Sequence, residues 1–88
     1  MPAEDRQRID RWLWHARLVR TRGDAAALAD AGYVRVNGAR IAAPSRQVRT
    51  GDVITVALER RDRVLKVRGF VERRGPAGTA QTLYEDLT

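Results

Sequence analysis

The sequence predicts an α+β fold: two short N-terminal helices packed on a small, mostly antiparallel β-sheet, with a short helical segment near the C-terminus. Three observations carry that expectation. Apolar residues recur at three- and four-residue spacing through Ile9, Trp12, Leu13, Ala16 and Val19. An alanine-rich stretch over residues 25–31 is bracketed by Thr21 and Gly32. Beyond it, apolar and polar residues alternate, and an Asn37-Gly38 pair marks a tight turn between two such runs.

Residues 1–7 read as a flexible tail, in which Glu4 and Asp5 partly offset Arg6 and Arg8. Asp10 suits the N-cap of the first helix, which is expected to run to about residue 19. Trp14 and Leu18 fall on the side opposite the core stripe. An exposed pair of this size is normally covered, so burial against the C-terminal segment is favoured over stacking of Trp14 on a base. Thr21 is the expected N-cap of the second helix, with Asp24 three residues on completing a short-armed capping box. Ala25, Leu28 and Ala29 share one face, and Gly32 stands where a helix end takes left-handed backbone. Only two or three residues separate the helices, which must cross closely; alanine permits that approach.

Val34, Arg35 and Val36 alternate into the Asn37-Gly38 turn, and residues 39–41 return as the partner strand. Residues 43–45 form a loop, and Gly51-Asp52 a turn. Residues 53–58 place Ile54, Val56 and Leu58 on one face, and residues 59–62 are polar enough for a hairpin tip. Residues 63–71 are the expected last strand, with Leu65, Val67 and Val71 inward and Lys66 and Arg68 outward. Arg73-Arg74-Gly75-Pro76 breaks it, and the helical segment follows over residues 77–87. The resulting division is a tail over 1–7, a binding domain with its sheet over 8–72, and a segment over 73–88 packing on that domain.

With 88 residues the chain is one domain, near the lower size for a sufficient core. Its 43% hydrophobic content argues against disorder. It has no cysteine, which excludes disulfides, thiolate metal sites and thiol nucleophiles. The polar N-terminus and the lack of a long apolar run lead us to expect a soluble cytoplasmic protein with no membrane partner. The net charge is +6, and 17 residues are basic. Lys66 is the one lysine; the rest are arginines. Between Arg6 and Arg22 six arginines face the single acid Asp10, whereas a solvated helix face usually mixes signs. A polyanionic partner follows.

Catalysis is poorly supported. His15 is the one histidine and Ser45 the one serine, with no arrangement linking them. Asp10, Asp24 and Asp30 lie at helix ends, where capping accounts for them. Metal-ligand spacing and a GxxxxGK phosphate loop are both absent. We therefore expect no enzyme activity, no cofactor, no metal and no small-molecule substrate, and a monomer. Binding is better supported. The first amides of the second helix, at Thr21-Arg22-Gly23, lie beside Arg20 and Arg22, and Arg17 stands one turn earlier. Arg35 and Arg40 flank the Asn37-Gly38 turn and extend the patch. The competing use of Arg17 or Arg22 is an ion pair with Asp24 or Asp30. The second helix has few side chains able to read base edges, which favours folded RNA over DNA as the phosphate-bearing partner.

At these residues the sequence resembles a known family. The run RIDRWLWHARLVRTR, then A-x-x-L-x-x-x-G-Y-V-R-V-N-G, then V-x-x-G-D-x-I-x-V, is similar to the S4 RNA-binding domain, whose fold is also called the αL motif. The match spans about residues 8–56, and several spaced elements agree in order. Within the family, the RIDRWLW start and the tail RRGPAGTAQTLYED resemble the ribosome-associated heat shock protein 15 group. That resemblance implies binding to ribosomal RNA of the large subunit, in rescue or recycling of stalled subunits carrying peptidyl-tRNA during heat stress, without catalysis. Carried over, the RNA face comprises Arg8, Arg11, Arg17, Thr21, Arg22 and the turn at Val36, Asn37 and Gly38, while Asp10, Leu13, Leu28 and Gly32 are structural. The group often continues into a long basic C-terminal extension; contacts of such an extension, including any to tRNA, find no counterpart among these 88 residues. The alternative reading is a detached RNA-guide module of an RNA-modifying enzyme such as a pseudouridine synthase. The aromatic tail argues against it, because a detached module should end in a linker.

Overall fold

A computed structural model describes residues 5–88. Two helices lead, α1 (Ile9–His15) and α2 (Arg22–Asp30), preceded by a short strand β1 (Arg6–Arg8). The strands β2 (Val34–Val36), β3 (Ala39–Arg40), β4 (Gln47–Arg49), β5 (Val53–Ala57) and β6 (Asp62–Val67) follow. A single helical turn α3 (Ala77–Ala80) and a 3₁₀ turn (Gln81–Leu83) then lead into β7 (Tyr84–Asp86). The five-stranded sheet runs β3-β2-β5-β6-β7, and β1 pairs with β4 in a separate ribbon. Every described pairing is antiparallel.

Both helices end in the same device. In α2 the Tyr33 amide donates to the Leu28 carbonyl at 3.0 Å and the Gly32 amide to Ala29 at 3.1 Å, with Gly32 at φ 83°. In α1 the Leu18 amide donates to Leu13 and the Arg17 amide to Trp14, both at 3.1 Å, and Arg17 itself takes φ 61°. These are paired six-to-one and five-to-two closures, with glycine at the left-handed position in one helix and arginine in the other. Left-handed backbone costs a residue with a Cβ about 1–2 kcal/mol. It is why α1 stops at His15 rather than near residue 19.

The core lies between the helices and one sheet face. Ile9, Trp12 and Leu13 of α1 and Ala25 and Ala29 of α2 are fully buried. Opposite them stand Val34, Ile54, Val56 and Leu65 from the sheet. The register matches the alternation, since Val34 pairs with Val56 and Val36 with Ile54. Asn37 (φ 53°) and Gly38 (φ 84°) both take the left-handed backbone that a two-residue hairpin turn of this twist demands.

Four further expectations are corrected. Asp10 is not the N-cap: Arg8 holds that position, and the Asp10 carboxylate accepts instead from the Arg11 amide at 2.7 Å and from the Arg8 side chain. The expected flexible tail over residues 1–7 does not hold for its last three residues, because Arg6–Arg8 pairs with Gln47–Arg49 and buries Gln7. The rest of that tail, residues 1–4, lies outside the described residues. The last strand is not residues 63–71: β6 ends at Val67, and the Gly69 carbonyl accepts from the Trp12 indole at 3.2 Å. The helical segment covers only the first part of residues 77–87, after which Tyr84–Asp86 pairs with β6. In that position Tyr84 meets Trp12 edge-on at 6.5 Å, so an aromatic contact draws the chain back to the sheet.

Candidate nucleic-acid interface

The arginines predicted to bind fall into two groups. The first surrounds the corner between α1 and α2. Arg8 makes a two-pronged contact with Asp10, Nε to Oδ1 at 3.1 Å and Nη2 to Oδ2 at 2.9 Å, and the Arg22 Nε lies 3.9 Å from the same carboxylate. The Asp10 side chain is 4% exposed whereas those of Arg8 and Arg22 are each 46% exposed. One sheltered carboxylate thus aims two solvent-facing cations. The ion pairs considered for Arg17 and Arg22 with Asp24 or Asp30 do not form among the described residues.

Arg11 and Arg17 bind backbone instead. Arg11 Nη2 donates to the Glu72 carbonyl at 2.6 Å, and Arg17 donates to the Gly75 carbonyl from Nε at 3.2 Å and Nη2 at 2.9 Å. A carbonyl orients a guanidinium without neutralising it, so both keep their full charge and spare N–H groups. Thr21 caps α2 by accepting from the Asp24 amide at 3.0 Å. The first-turn amides of Arg22 and Gly23 have no intrahelical acceptor and point from the positive end of the helix. Arg20 is exposed, and its carbonyl faces Arg74 at 3.5 Å.

The second group lies on the sheet. Arg35 and Arg40 are directly opposed across β2 and β3, and both are exposed. Among the described residues, no hydrogen bond or ion pair joins Arg35 or Arg40 to the corner. Asn37 is committed within the fold: its Oδ1 accepts from the Val53 amide at 2.8 Å and its Nδ2 donates to Asp52 at 3.1 Å. Gly38 is the open point of the turn: apart from its chain neighbours, no described atom lies within 4 Å of where a side chain would start.

Sequence reasoning missed Arg74, read only as part of a strand breaker. It donates to the Trp14 carbonyl at 3.0 Å and the Val19 carbonyl at 3.1 Å, and its guanidinium carbon lies 5.4 Å from the Trp14 ring centroid. The C-terminal segment thus reaches Trp14 with a cation over its ring, but leaves it half-buried rather than buried as expected. The available signal was the solvent-side Trp14 itself, which needed a partner from elsewhere in the chain. Arg6 and Arg49, directly opposed across β1 and β4, were also missed.

His15 is 1% exposed, and its Nδ1 has no hydrogen-bond partner among the described residues. Burial holds its pKa below the ordinary value of 6.5, helped by the positive charge of Arg11. Among the described residues no group of three or more His, Cys, Asp or Glu could hold a metal, and no helix is long and apolar enough to cross a membrane.

The S4 domain family model matches residues 7–54, the stretch that builds the corner and the first hairpin. Heat shock protein 15 of Escherichia coli (strain K12) is 37% identical over 79 residues, which cover 90% of this chain and 59% of that protein. The heat shock protein 15 homolog of Haemophilus influenzae is 33% identical over 84 residues, covering 96% of this chain and 63% of its own. The chain thus spans about three-fifths of the length of these relatives. A solved structure of Vibrio cholerae heat shock protein 15, described as trimeric, superposes with a TM-score of 0.85 at 34% identity, covering 92% of this chain and 81% of that one.

Proposed function

The chain belongs to the S4 family of RNA-binding domains, and from that premise we infer that it is a non-catalytic protein that grips ribosomal RNA of the large subunit. The observation that carries this reading is the α1–α2 corner. There Arg8, Arg11, Arg17 and Arg22 are held by one carboxylate and two backbone carbonyls. Four cations, with Asp10 the one carboxylate among the described residues paired to any of them, give a rigid surface of positive potential beside a helix N-terminus, which suits the phosphates of a folded polynucleotide. Phosphate contacts of this kind position a protein by shape and need no reacting group. The likeness to heat shock protein 15 supports a place in rescue or recycling of stalled subunits carrying peptidyl-tRNA during heat stress, in the cytoplasm. The packing of the C-terminal segment on the corner, with Arg17 donating to the Gly75 carbonyl, supports this reading over a detached guide module.

The test is co-sedimentation with separated ribosomal subunits, with and without peptidyl-tRNA. Binding should be confined to the large subunit, be strongest with peptidyl-tRNA present, and weaken steeply with salt. Equal binding to both subunits, or binding indifferent to salt, would sink the proposal.

A further inference from the structure

Tyr33 is the most exposed large hydrophobic residue among those described, at 55%. Its backbone is nonetheless fixed at both ends, the amide donating to Leu28 at 3.0 Å and the carbonyl accepting from Ala57 at 2.9 Å. The ring therefore stands on a rigid base at the junction of α2 and the sheet. Tyr33 lines a shallow, mostly apolar hollow with Asp24, Ala27, Leu28 and Ala31. It also lines a cleft that it shares with Arg35, Arg40 and Thr55.

Strand geometry explains why these residues meet. Val34 and Val36 point into the core, so Tyr33 and Arg35 point outward together. Arg35 faces Arg40 on one side and Thr55 on the other. Arg40 is held near Tyr33 because its stem lies across Gly32, where an added Cβ would come within 3.2 Å of Arg40 Cδ. Two like charges placed directly opposite repel. Neither arginine has an ion pair or a side-chain hydrogen bond to another described residue; Asp62, which also lines the cleft, pairs with neither.

We propose that this cleft holds one unpaired RNA nucleotide, its base stacked on Tyr33 and its phosphate between Arg35 and Arg40. The assignment rests on the RNA-binding reading above and adds a site distinct from the helical corner. A phosphate between the two arginines turns their repulsion into shared attraction. An exposed ring on a rigid base suits a base already out of its helix, because bases within a duplex present their faces to one another. The corner is then the shape-reading part, and the cleft selects RNA with a splayed nucleotide beside it.

The test compares two RNAs in fluorescence anisotropy with the full chain: a hairpin with an unpaired loop, and a blunt duplex carrying the same stem. Tyr33→Ala should weaken hairpin binding by about 5- to 150-fold, the range for losing one base–aromatic stack, leave duplex binding unchanged and melt close to wild type. Tyr33→Trp should retain hairpin binding. Arg35→Gln with Arg40→Gln should weaken the hairpin and lower its salt slope by about 0.7 for the one phosphate lost. Wild-type affinity of Tyr33→Ala for the hairpin, beside a loss with Arg22→Glu, overturns the cleft and leaves the RNA reading intact. Failure of the wild type to bind either RNA overturns both. Self-association abolished by Tyr33→Ala in light scattering assigns the face to a second copy and overturns the nucleotide site.

Discussion

The Arg74 guanidinium lies over the Trp14 ring at 5.4 Å while donating to the Trp14 carbonyl at 3.0 Å. One side chain thus covers the exposed face of an aromatic residue and satisfies a carbonyl at the end of its helix. A second donor reaches the Val19 carbonyl at 3.1 Å, tying the linker between the helices to the same group. Arg74→Ala should lower stability by about 1–3 kcal/mol, through loss of charged hydrogen bonds and the cation–π contact. For a domain of this size each kcal/mol is about 4–8 °C in Tm. Arg74→Lys should recover little, because an ammonium cannot fan across several carbonyls and a ring. A thermal melt of the three proteins decides it.

Arg17 offers a way to test the corner without unfolding it. Its φ of 61° already suits glycine, so Arg17→Gly should stay folded, with a stability change within about 1 kcal/mol. Combined with Arg22→Glu it should abolish co-sedimentation with large subunits at moderate salt. The single Arg17→Gly change should reduce the salt slope by about 0.9, one phosphate contact. Unaltered co-sedimentation of the double variant would remove the corner from the RNA face.

Thr21→Ala should cost about 1 kcal/mol, the usual value of an N-cap hydroxyl. The Asp24 amide it satisfies at 3.0 Å has no acceptor in the first turn of α2 to replace it. Thr21→Ser, which keeps the oxygen, should be near wild type. Chemical denaturation measures both, and equal midpoints for all three proteins would refute the cap.

His15 makes stability depend on pH in one direction. Its pKa is lowered on folding by burial and by the charge of Arg11, so the unfolded chain binds the proton more readily than the native one. Stability is then greatest above the ordinary histidine value of 6.5 and falls as pH drops through that value towards the lowered native one. His15→Gln should flatten the Tm profile across this window. Asp86, whose pKa is lowered by its hydrogen bonds to Thr88, loses its contribution in a separate, more acidic window below its ordinary 3.8. A wild-type Tm constant from neutral pH through the histidine window would contradict the assignment.

The elements legible in the sequence are those decided within a few residues. Thr21 caps α2 because its hydroxyl reaches an amide three residues on, and Gly32 and Asn37-Gly38 turn the chain because their own backbone permits positive φ. The alternation of Val34, Val36, Ile54 and Val56 foretold one buried sheet face because strand side chains repeat every second residue. Arginine content near the N-terminus announced an anionic partner, but charge does not say where a flexible side chain ends.

Those endings belong to tertiary structure. Arg6–Arg8 becomes a strand only because Gln47–Arg49 lies alongside, and Tyr84–Asp86 becomes one only because β6 leaves an edge open. Neither partner is visible locally, and each segment is too short to declare itself. Arg8 and Arg22 converge because the helices cross over Asp10, whereas Arg11 and Arg17 find carbonyls about 60 residues away in sequence. By itself the sequence determined the helices, the hairpin, the inward face and the sign of the surface, all set by local backbone preference and side-chain period. Only the folded chain decided which cations stand together, because an arginine takes its direction from whichever acceptor the packing brings within reach.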